Sequence, residues 1–119
     1  MYPPQLLEHF QHPRNAGQME AADVTVQAEN PACGDVMKLM LRMNGETIAE
    51  AKYLVRGCVA AIACGSLLTE ALIGMTIPDA RAFKRETLVE SLGGLPNESM
   101  HASHLALDCL KLALKHLEH

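Results

Sequence analysis

The sequence is poor in aromatic residues. It has no Trp, two Phe and two Tyr among 119 residues, while 49% of the chain is hydrophobic. The core must therefore be aliphatic, built from Leu, Ile, Val, Ala and Met, and a chain of this length fits one domain. Too few rings remain for base-stacking platforms. Positive charge is also short. Ten Lys and Arg against fourteen Asp and Glu leave a net charge of −4, which excludes a basic surface that tracks phosphates. No nucleic-acid partner is expected.

Long apolar runs are missing too. None reaches the roughly 20 residues a membrane span needs, so no membrane partner is expected. MYPPQLLEHFQHPRN has no basic stretch followed by an apolar one, so it does not read as a secretory signal. A cytoplasmic location is the expectation. There the four cysteines read as thiols or metal ligands rather than disulfides. No pair has the CxxC spacing of zinc fingers or thioredoxins. Neither a catalytic triad nor a phosphate loop is visible, and no classical enzyme is expected. Leu117-Glu118-His119 reads as an expression-tag remnant, leaving residues 1–116 as a single domain.

What is present organises simply. PPQLLEHFQ reads as a short helix between Pro3-Pro4 and Pro13. DVTVQA (23–28) and DVMKLMLRM (35–43) alternate as strands. Met37, Leu39, Leu41 and Met43 face one way; Val36, Lys38, Met40 and Arg42 face the other. Asn44-Gly45 predicts a hairpin into ETIAEAKYLVRG (46–57). CVAAIACGSLLTEALIG then reads as a helix ending at Gly74, IPDARAFK as a shorter one, and ESLGGLPNES as a loop. A last helix runs from about residue 101 to 116. Leu107, Leu110 and Leu114, with Leu105, Cys109 and Leu112, make its apolar face; His104, Asp108, Lys111 and Lys115 make its wet stripe. The fold class is α+β: a three-stranded antiparallel sheet covered by helices in two layers.

The cysteines divide into two kinds. Cys33, in NPACGDV, sits at a loop tip with Asp35 two residues on, suited either to metal or sulfur chemistry or to a buried turn. Cys58, in VRGCVAAIA, stands where a strand turns into a helix. Free N–H groups and Arg56 would favour its thiolate there; the plainer reading is a small residue at a helix start. Cys64 and Cys109 share apolar stripes and read as core. His9, His12 and His116 have structural readings. His101 could meet Cys33 and Cys58 if their junctions converge, and His104 pairs with Asp108 on the wet stripe.

HPRNAG (12–17), PACGDVMKL (31–39), GCVAAIA (57–63) and LP…HAS…L (95–105) stand in an order that resembles the U-type iron–sulfur cluster assembly scaffolds, the IscU-like and NifU N-terminal-domain-like proteins. The resemblance spans nearly the whole chain. It implies a small antiparallel sheet packed with helices, and transient assembly of a [2Fe–2S] cluster or iron, with zinc sometimes held instead. It implies a cysteine desulfurase as sulfur donor and iron–sulfur acceptor proteins as recipients. It also implies that Cys33, Asp35, Cys58 and His101 are the ligands. Two departures stand out. The family's third cysteine, directly after the histidine, is Ala102 here, and the family's Leu-Pro-Pro-Val-Lys is LPNES (95–99). The second weakens the expectation of docking to a dedicated Hsp70-type chaperone.

Two thiolates, an imidazole and a carboxylate suffice for tetrahedral zinc, and for a [2Fe–2S] cluster of mixed ligation. Three functions stay open: a cluster scaffold, a zinc-binding sulfur-relay module working with a desulfurase, or a degenerate interaction protein without metal.

Overall fold

A computed structural model describes residues 2–118. His119, read as part of a tag, lies outside the described residues. The element order is α1 (Pro4–Gln11), β1 (Val24–Glu29), β2 (Val36–Asn44), β3 (Thr47–Arg56), α2 (Val59–Leu72), α3 (Ile77–Ala82), α4 (Arg85–Ser91), a 3-10 turn (Asn97–Ser99) and α5 (His101–Leu117). The sheet is antiparallel in the order β1-β2-β3, with Val26 opposite Leu39 and Leu39 opposite Tyr53. The hairpin turns at Asn44-Gly45, where Gly45 takes φ +62°. The two-layer α+β expectation therefore holds.

Alternation decides which sheet face is covered. Met37, Leu39 and Leu41 are fully buried beneath α2 and α5, together with Val24 and Val26 of β1. Burial of this aliphatic set, at about 25 cal/mol per Å2 of apolar surface, is the main stabilising term. Met40 lies on the opposite face and is nonetheless fully buried. The segment after α1 crosses that face. Met19 covers Met40 there, its N–H pointing at the sulfur. The alternation of β2 alone does not announce this cover.

The HPRNAG segment ties three elements together. His9 Nδ1 lies 2.8 Å from Ser66 Oγ, which also accepts the Arg14 N–H at 2.9 Å. Asn15, at φ +62°, accepts the Tyr53 N–H through its carbonyl, and the Gly17 N–H donates to the Tyr53 carbonyl. Thus α1, α2 and the outer edge of β3 are clamped at one place. Gly65 allows the closest approach: a Cβ there would sit 2.4 Å from the Tyr53 ring.

Two local expectations need correcting, and α5 runs one residue further than expected. The stretch RETLVES forms α4, which the sequence reading leaves unassigned; it buries Leu88 and little else, so its apolar periodicity is weak. Leu112 was placed on the apolar face of α5 but is 39% exposed, lining an open hollow beside the β1 edge with Ala28 and Glu29. Leu117 continues α5 and packs against the core. The wet stripe of His104, Asp108, Lys111 and Lys115 is exposed as expected.

Candidate metal centre

Three chain junctions meet at one end of the sheet. The first is the loop from β1 to β2. The Asn30 N–H donates to the Asp35 carbonyl, and the Asn30 side chain accepts the Ala32 N–H, so the loop closes tightly. Gly34 at φ +77° takes a left-handed conformation that an L side chain would strain. Cys33 is thereby exposed at the tip while Asp35 turns inward and is buried.

The second junction is Gly57-Cys58, between β3 and α2. The absence of a side chain at Gly57 gives the Asp35 carboxylate its place, because a Cβ there would lie 2.6 Å from Asp35 Cγ. Cys58 is the N-cap residue of α2, and its N–H points at Asp35 Oδ2 at 3.4 Å. A carboxylate at a helix N-terminus is favoured by the dipole and by free N–H groups.

The third junction begins α5. His101 is its first residue, with Nε2 3.5 Å from Asp35 Oδ2 and 3.8 Å from Cys58 Sγ. Ligand atoms of Cys33, Asp35 and His101 all lie within 4.8 Å of one another. Cys58 flanks this trio through its contacts with His101 and Asp35. Cys33, Asp35 and His101 thus come together, and Cys58 stands beside them without joining the mutually close group.

The environment of Cys58 corrects one expectation. Burial pushes its thiol above the ordinary value, and the neighbouring Asp35 charge pushes the same way. The N–H groups of Ala61 and Ala60 at the helix start oppose this but do not win. Arg56 is exposed. Burial and the Asp35 charge thus work against the thiolate at Cys58, whereas a bound cation would favour it.

Cys64 and Cys109 are fully buried, and burial raises both thiols to about 12. Cys109 donates to the Met37 carbonyl. These are core residues, as their apolar stripes predict. His104 lies on the exposed stripe, and His9 is buried against Ser66. Ala102 is fully buried within the hydrophobic core. The feature the sequence reading missed is the Gly57–Asp35 contact; a glycine between a strand and a helix carries no local sign of what it admits.

An antiparallel sheet whose end gathers cysteine, aspartate and histidine from three junctions offers a group that could hold a metal ion. The comparisons supply the class. The family described as NifU-like N terminal domain matches residues 1–119, and the chain belongs to it. It is 42% identical over 114 residues, covering 96% of this chain and 74% of the relative, to "Iron-sulfur cluster assembly scaffold protein IscU 1" of Archaeoglobus fulgidus. It is 38% identical over 122 residues, covering 99% and 94%, to the IscU scaffold protein of Azotobacter vinelandii. In fold it is similar to the N-terminal part of a NifU-like protein from Brucella abortus, at TM-score 0.64 and 20% identity over 96% of this chain and 81% of that one.

Proposed function

We propose that this chain is a scaffold on which an iron–sulfur cluster is assembled and from which it is passed on. Cys33, Asp35, Cys58 and His101 are its ligands in this reading. The observation that carries it is the convergence of Cys33, Asp35 and His101 within 4.8 Å, with Cys58 Sγ beside His101. The scaffold names of relatives near 40% identity support it. The cluster is cargo, so weak ligation serves the task. Asp35 is a hard oxygen donor to a metal that prefers sulfur. It holds geometry through Cys58 and His101 yet gives up a cluster readily. The exposed Cys33 admits sulfane sulfur carried as persulfide by a cysteine desulfurase; a thiol or other external electron donor reduces it to sulfide as the cluster forms, and acceptor proteins then take the product.

The buried Ala102 favours one rival, a zinc-holding sulfur relay, because two sulfurs, one nitrogen and one oxygen complete a tetrahedral site with no third thiol. Anaerobic reconstitution with iron, cysteine, a thiol reductant and a cysteine desulfurase, beside a parallel titration with zinc, separates the two. Visible charge-transfer bands that vanish in Cys33→Ala and in Cys58→Ala support the scaffold. One equivalent of zinc without such bands supports the relay. Failure to bind either metal defeats both and leaves the metal-free interaction protein.

A further inference from the structure

The sheet has two edges, and they differ. At the β3 edge Ala16 bridges Tyr53, and the Asn15 carbonyl and Gly17 N–H hold the Tyr53 main chain. The β1 edge has no such strap. Among the described residues no hydrogen bond reaches the main chain of Thr25, Gln27 or Glu29 from outside the strands. The ladder shows which groups point out. The Asn30 N–H donates to the Asp35 carbonyl, and the same register sets Ala28 opposite Met37 and Val26 opposite Leu39. Alternate residues of an antiparallel strand bond to opposite sides. Val26 and Ala28 therefore bond inward to β2, while Thr25, Gln27 and Glu29 direct their N–H and C=O groups to the open edge.

An unpaired edge is a template for another strand, and proteins usually block it with proline, a bulge or a covering loop. VTVQAE has no proline, and its pairing with β2 has no register shift. Beneath the edge runs α5. Ala28, Asp108, Leu112 and Lys115 are among the residues lining an open hollow of about 490 Å3 there, and Leu112 is 39% exposed. Among the described residues neither Asp108 nor Lys115 has an ion-pair partner. The strip along the helix thus reads carboxylate, leucine, ammonium.

We infer that the β1 edge pairs with the β1 edge of a second copy of this chain, joining two sheets into one of six strands. The outward groups fix the register. A two-fold axis through Gln27 sets Gln27 opposite its own equivalent and Thr25 opposite Glu29, each facing pair exchanging two main-chain hydrogen bonds. Val26 then lies opposite Ala28 on the helix side, and no two like charges face each other. The same axis runs α5 antiparallel to its equivalent. Asp108 stands four residues before Leu112 and Lys115 three after it. Reversal about Leu112 therefore brings Asp108 of each copy to Lys115 of the other, with the two leucines between them in the hollow. That self-complementarity selects a second copy as the occupant. Because the β3 edge is already strapped, pairing stops at two copies. The interface is small, so the dimer is weak and forms at high concentration. The residues of the candidate metal centre take no part, so the pairing stands or falls independently of what that centre holds.

Sedimentation velocity of the intact chain over a rising concentration series should show a monomer passing into a dimer and no larger species. Amide hydrogen exchange read by NMR should locate the contact. Thr25, Gln27 and Glu29 should gain protection as concentration rises, while Val26 and Ala28 are protected throughout. Gln27→Pro removes an outward N–H that the chain's own ladder does not use, and should hold the protein monomeric. Leu112→Lys should do the same with the thermal midpoint retained, since that side chain is exposed. Lys115→Asp sets carboxylates against each other across the axis and should weaken the dimer about tenfold. Adding Asp108→Lys to it should restore the pairing. A monomer at every concentration would overturn the inference. So would protection located elsewhere, a dimer unmoved by Gln27→Pro and Leu112→Lys, or a charge swap that fails to restore pairing. Protection of the edge that arises only with an added peptide of another sequence would overturn it too.

Discussion

His101 Nε2 lies 3.5 Å from Asp35 Oδ2, although one residue opens the last helix and the other closes the first sheet loop. Asp35 also meets the Cys58 N–H. A single buried carboxylate thus touches both other junctions of the site, and its position depends on a residue with no side chain, Gly57.

Gly57→Ala therefore tests the site without changing a ligand. The new Cβ would need Asp35 to move, since the contact is with the carboxylate carbon itself at 2.6 Å. Overpacking of this kind costs about 1–3 kcal/mol. Displacing a positioned ligand weakens metal binding about tenfold to a hundredfold. Cobalt titration, followed by the sulfur-to-metal absorption band, measures the second effect, and urea denaturation the first. An unchanged cobalt affinity counts against Asp35 as a positioned ligand.

The four thiols should label in a set order. Cys33 is exposed, Cys58 half-buried, and Cys64 and Cys109 fully buried. The thiolate is the reacting form, and burial suppresses it at Cys58 and raises the two core thiols to about 12. A disulfide reagent at pH 8 should modify Cys33 first and Cys58 more slowly. Cys64 and Cys109 should react only as fast as the fold opens. Mass spectrometry of quenched time points reads the order directly; prior zinc loading should protect Cys33 and Cys58 alone.

Acid should weaken the clamp between α1 and α2. Burial lowers the His9 pKa below the ordinary value of 6.5, and the Arg14 charge adds to this against the opposing carboxylates of Glu70 and Glu8. The folded state thus binds that proton less readily than the unfolded chain. The stabilising contribution is present above about pH 6.5 and is lost as pH falls through the lowered folded value. The urea midpoint should decline from pH 7.5 to 5, and His9→Asn, which can still meet Ser66, should flatten part of that decline. An identical pH profile in the variant would exclude His9 as a contributor.

Ala102→Cys should lengthen the life of a reconstituted cluster. The position directly follows His101 and opens the same helix. Its side chain is buried in the core, so the added sulfur must repack locally, at a cost within about 1–3 kcal/mol. The expected outcome is slower loss of the visible bands to a chelator and slower transfer to an apo-ferredoxin, with a slightly lower thermal midpoint. Equal lifetimes would mean that the α5 start holds that side chain away from the cargo.

Much of this was legible along the chain. Strict alternation in DVMKLMLRM, the Asn-Gly turn and the leucine spacing of α5 are local signals, and the local rules decided those elements. PACGD and HAS marked candidate ligands through residue type and resemblance. Other features were not legible. Met40 reads as an outward residue until Met19 is seen to cover it. Cys58 reads as an activated helix-start thiolate until its burial and the adjacent Asp35 are weighed. Leu112 continues an apolar spacing but lies at the open edge beside β1.

The sequence by itself determined the α+β layering, the aliphatic core and the core role of Cys64 and Cys109, which follow from composition, periodicity and side-chain chemistry; the four candidate ligands came from the resemblance its motifs carry. Only the tertiary structure decided that three separate junctions converge, that Gly57 makes room for Asp35, and that the β1 edge of the sheet stays unpaired among the described residues. Those are matters of distance between segments far apart in the chain. They are set by how the sheet and helices pack, and no local pattern encodes them.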